Sequence, residues 1–194
     1  MMTTKFQRAK VYLMLFLFCF SPLLSEIQTV TLQWDATQCT PECIQLLQRQ
    51  LSQIEGVAAV QISQGLGQAV LTWKPNKPFS YEKIDYTFRL VGLANRTTHM
   101  RVRGTIVHTD STVTLVSIGD FTAFKLLGAL QPSTTQYVTA HNPLSYPLLP
   151  TTRSQLLEIE KKAQTVVIEG RLYDPYRYYF TQYLIIDKID KPIN

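Results

Sequence analysis

Apolar positions along the chain recur with two periods, and the alternation between these predicts the elements. Between Thr29 and Gln33 they alternate with polar residues, Val30 and Leu32 on one side with Trp34 following, as a half-buried strand requires. Ile44, Leu47, Leu51 and Ile54 then recur at helical spacing behind Thr40-Pro41-Glu42. That tripeptide supplies a hydroxyl cap, a proline at the first helical position and a carboxylate in the first turn, and Gly56 ends the run. Val57, Val60 and Ile62 open a second strand, Gly65-Leu66-Gly67 turns it, and Ala69 to Trp73 returns as its hairpin partner. Ser80 begins a second helix with Ile84, Phe88 and Val91 on one face, stopped by Gly92.

The second half reads mostly with period two. Met100, Val102, Gly104 and Ile106 alternate with Arg101, Arg103 and Thr105. Turns at His108 to Ser111 and at Gly119-Asp120 separate this strand from Val113–Ile118 and from Phe121–Leu127. A proline-rich stretch follows, with Pro132, Pro143, Pro147 and Pro150. Thr152 to Ala163 then carries the apolar spacing of one amphipathic helix, and Thr165–Leu172 and Tyr179–Ile189 alternate as two more strands.

These orders predict an α+β protein. Strand, helix, strand, strand, helix and a further strand after Leu93 make a ferredoxin-like βαββαβ domain. Three strands, one helix and two strands make a small OB-like β-barrel. The expected organisation is a signal peptide at 1–25, the first domain at 26–98 and the barrel at 99–194. Too few residues separate Gly92 from Met100 for a flexible linker, so one extended strand is expected to run from the first sheet into the barrel.

The N-terminus bears on compartment. Lys5, Arg8 and Lys10 precede an almost wholly apolar run, 11–24, which is shorter than the ~20 residues that a membrane-spanning helix needs. With Pro22 and small Ser25 behind it, the run reads as a secretion signal. The chain is therefore expected to be exported, to the periplasm or the extracellular space, or held at the membrane by 11–24 where the signal stays uncleaved. Without 1–25, the 19 basic residues become 16 against 14 acidic ones and the net charge falls from +5 to +2. That weak balance gives no reason to expect a nucleic-acid partner.

Export turns attention to Cys39 and Cys43, the two cysteines left outside the signal. The residues around them resemble the heavy-metal-associated (HMA) domain of copper chaperones and metal-transporting ATPases. The likeness runs from Cys43-Ile44-Gln45-Leu46-Leu47 through Ile54-Glu55-Gly56-Val57 and Gln68–Trp73 to Leu90-Val91-Gly92-Leu93. In that family the motif is Met-x-Cys-x-x-Cys, whereas here Gln38-Cys39-Thr40-Pro41-Glu42-Cys43 puts Thr40 at the first cysteine's position and Cys39 one residue early. The resemblance implies a non-enzymatic protein that binds or transfers Cu(I) or another soft metal ion through Cys39 and Cys43. Soft monovalent copper prefers thiolates, and a helix N-terminus favours the thiolate form of Cys43. In an oxidising compartment the alternative is a disulfide inside a structural or protein-interaction module.

Other chemistry is sparse. His99, His108 and His141 lack metal-ligand spacing, and no phosphate-cradling glycine loop or nucleophile elbow is present. Tyr173, Tyr176, Tyr178, Tyr179 and Phe180 with Arg171 and Arg177 form either a stacking platform or, more in keeping with export, a packing or partner surface. Asn95-Arg96-Thr97 fits a glycosylation acceptor.

Overall fold

The computed structural model describes residues 26–129 and 142–190. The expected signal peptide at 1–25, with residues 11–24, and His141 lie outside these. The chain folds as an α+β protein in which eight strands form one sheet that curls into a closed five-stranded barrel at one end.

The first half contributes β1 (Ile27–Gln33), helix α1 (Pro41–Ser52), β2 (Val57–Ser63), β3 (Gln68–Trp73) and α2 (Tyr81–Leu90). The second contributes β4 (Thr97–His108), β5 (Val113–Ser117), β6 (Ala123–Leu127), α3 (Pro150–Lys161), β7 (Val166–Leu172) and β8 (Gln182–Ile189). Starting from β2, the order across the sheet is β2-β3-β1-β4-β5-β6-β8-β7, and β7 returns to pair with β4. All neighbours are antiparallel except β6 and β8, whose parallel pairing joins the two arms of the barrel.

Local chemistry explains most element ends. The Thr40 hydroxyl accepts a hydrogen bond from the Cys43 amide and Pro41 takes the first helical position, so α1 starts where the sequence predicts. Helix α3 likewise begins at a proline, Pro150, two residues before the expected Thr152. Expected strands from Phe121 and Tyr179 begin later, at Ala123 and Gln182. Phe121 is held at φ 56° in the turn before β6, so its backbone cannot join a ladder.

Strand β4 carries the architecture. Along one edge it pairs with β1 from Thr97 to Val102, then with β5 from Gly104 to His108. Its other edge pairs with β7 from His99 to Gly104. The exchange of neighbours falls at Arg103, whose amide donates to the Glu26 carbonyl and whose carbonyl accepts from Ile118. At the next residue a Cβ would lie 2.4 Å from the Val116 carbonyl oxygen, so this approach of β5 requires glycine at 104. Residues 98 and 99 both lie inside this strand, which the two halves share.

One continuous core runs through both halves. Leu47, Leu51, Ile84 and Phe88 of the helices bury against Val30, Leu32, Leu71 and Met100 of the sheet. Val102, Leu115, Phe124, Ile168 and Leu184 continue it, with Leu156 and Ile159 of α3. Full burial of such side chains contributes roughly 1.5–3 kcal/mol each.

Candidate functional site

The cysteine pair sits where β1 gives way to α1. Asp35 caps a short helical turn, its carboxylate accepting from the Thr37 amide at 3.1 Å and the Thr37 hydroxyl at 2.7 Å. Those bonds, with Arg96 at 2.8 Å, hold its carboxyl below the usual range. The turn delivers Cys39 into the core, and the next residue caps α1. Cys43 occupies the third helical position and is half-buried. Beside it the Glu42 carboxyl is also held low, chiefly by its own backbone amide and then by the Thr40 hydroxyl.

Cys39 and Cys43 are joined by a disulfide, with their Cα atoms 5.4 Å apart. Both predicted ligands therefore converge, but in the oxidised form neither sulfur is a thiolate and the pair does not suit a soft metal ion. Two electrons must be added, opening the S–S bond to two thiolates, before either could ligate one. Among the described residues no group of three His, Cys, Asp or Glu side chains is arranged to hold a metal. His99 and His108 are engaged elsewhere, with Asp187 and Glu160.

The tyrosine run does not form one platform. Tyr173 is buried in a small aromatic cluster with Tyr146, Tyr178 and Tyr183, whose ring centroids lie 4.9, 6.1 and 6.4 Å from its own. Tyr179 turns the other way, stacks on Tyr81 at 6.4 Å and donates to Asp85. Phe180 stands fully in solvent, and Arg171 is paired with Asp187. Packing thus accounts for most of the rings. The cluster also needs Tyr146, from before α3, and Tyr183, from the start of β8, which the linear pattern does not single out.

Asn95 is committed to structure. Its side-chain amide donates to the Tyr81 hydroxyl at 2.9 Å and the Thr98 hydroxyl at 2.6 Å, while its carbonyl accepts from the Gln33 amide. A glycan on that nitrogen would break this bridge.

A cleft of about 350 Å³, bounded by β6, Tyr183 and the segment 143–148, carries no signal in the linear pattern. No helix among the described residues is long and apolar enough to cross a membrane. No protein-family model, curated protein or solved structure matches the chain.

Proposed function

We propose that this is an exported, non-enzymatic interaction protein in which Cys39 and Cys43 form a structural disulfide. In this reading a ferredoxin-like βαββαβ unit is fused through β4 to an OB-type barrel, and the joined body presents its surfaces to a protein partner. The strand order β2-β3-β1-β4 with two helices on one face supports the first assignment. The closed order β4-β5-β6-β8-β7, with α3 between β6 and β7 along the chain, supports the second. The observation that carries the function is the bonded cysteine pair at the start of α1. It ties the loop after β1 to the helix and removes the two soft ligands on which the copper reading depends.

The reduced pair sustains a second reading, soft-metal binding or transfer. Cys43 sits among the free amides of a helix start, where a thiol ionises readily. Thiol counting and metal analysis on protein from the exported fraction, with and without reductant, separate the two. The structural reading expects no free thiol before reduction, and equal copper uptake by wild type and the Cys39→Ser/Cys43→Ser variant afterwards. Two free thiols in the isolated protein, with one equivalent of Cu(I) lost in either single serine variant, would establish the copper reading instead.

A further inference from the structure

We propose that the cleft between β6, Tyr183 and the segment 143–148 binds a free, single-chain amphiphilic carboxylate. Its walls are Leu126 and Leu127 of β6, Tyr183 of β8, and the segment 143–148, which is tied down where the Gly128 amide donates to the Tyr146 carbonyl. The space of about 350 Å³ is at the lower end of those that take small ligands. Leu144 stands at its rim 85% exposed, an apolar side chain for which the described residues provide no cover.

Charge selects the class of ligand. Among the described residues that line the cleft none is acidic, and two are cationic, Lys125 and Arg153. The Lys125 ammonium lies 5.7 Å from the centroid of the Tyr183 ring. A guanidinium nitrogen of Arg153 donates to the carbonyls of Thr109 and Asp110 at 3.4 and 3.2 Å, which fixes the group without neutralising it. Among the described residues neither cation has a carboxylate at ion-pair distance, whereas Arg96, Arg101 and Arg171 each have one. Two uncompensated cations beside an apolar wall complement an anionic head on a hydrocarbon body. Concavity favours a single free molecule over a bilayer, which cannot follow such a surface inward.

Calorimetric titration with monomeric laurate, and with dodecanol as the uncharged match of equal chain length, tests this on the exported protein. Laurate should bind at one site and roughly tenfold or more tighter than dodecanol. Lys125→Met and Arg153→Met, which keep apolar stems, should each weaken laurate about tenfold and leave dodecanol unchanged. Leu144→Glu, at an exposed position that folding does not use, should abolish laurate binding and serves if either methionine variant fails to fold. The proposal is overturned if laurate binds no tighter than dodecanol, or if the double methionine variant binds laurate like wild type. Association with phosphatidylglycerol vesicles in the absence of laurate binding would also overturn it, in favour of a membrane surface.

Discussion

Tyr179 donates its hydroxyl proton to the Asp85 carboxylate across 2.8 Å, joining the loop before β8 to α2 over 94 positions of sequence. Asp85 also pairs with Arg89 at 2.8 Å, so the phenol approaches a carboxylate already held by its own helix. With the stacking of Tyr179 on Tyr81, this is a polar tie between the halves that does not run through β4.

Tyr179→Phe keeps the stacking and removes only the hydrogen bond. Because Asp85 retains Arg89, the expected loss is about 1 kcal/mol, near the middle of the range for one such bond. Urea unfolding at neutral pH measures it, and a single transition should persist. Two separated transitions in the variant would mean that β4 alone does not keep the halves cooperative.

Two glycines give opposite expectations. At Gly104 a methyl group would meet the backbone of Val116, and a sheet ladder cannot yield as a side chain can. Gly104→Ala should therefore cost about 2 kcal/mol or more through overpacking. At Gly65 nothing lies within 4 Å of the added carbon, so Gly65→Ala should be neutral or stabilise by about 0.5 kcal/mol. Equal melting temperatures for the two variants would remove the case for glycine at the exchange of neighbours in β4.

Much of this fold is legible in the sequence because its signals are local. Thr40-Pro41-Glu42 marks the start of α1, Gly65-Leu66-Gly67 the β2–β3 turn, and the alternation of 100–106 most of β4. Cys39 and Cys43 are legible as a pair for the same reason, being four residues apart. What the linear pattern leaves open is settled by packing between segments. Tyr173 to Phe180 reads either as a stacking platform or as a packing surface, and Tyr146, Tyr183 and Asp85 draw its members apart into packing contacts. Lys125 and Arg153 carry no signal in the linear pattern, because the segment 143–148 has to fold against β6 before they line one cleft.

Reduction of the disulfide offers a third expectation. Chain-entropy arguments give a short loop of this kind roughly 2 kcal/mol of stabilisation. The reduced protein should therefore stay folded and unfold at lower urea than the oxidised one. Cys39 is 5% exposed and Cys43 half-buried, so brief alkylation after reduction should label Cys43 first, read by peptide mass. Faster labelling of Cys39 would show that reduction opens the loop after β1.

Alkaline pH probes the core directly. Tyr81 is 1% exposed, and burial, ahead of the nearby charge of Asp85, pushes its pKa from the usual 10 up to about 12. Burial also raises Tyr173, and the bond to Asp85 raises Tyr179. All three are phenols whose folded pKa lies above the unfolded one, so the folded state binds more protons once the unfolded chain begins to ionise. Their contribution is complete below about pH 10 and is lost as pH rises from there through the folded value of about 12 for Tyr81. The urea midpoint should hold level as pH approaches 10 and fall steadily above it, alongside a late step in the tyrosinate absorbance of the folded protein. Tyr81→Phe should shallow that fall, at an expense near neutral pH of about 1 kcal/mol because the Asn95 amide loses one acceptor. An alkaline slope as steep in Tyr81→Phe as in wild type would place the titrating groups elsewhere.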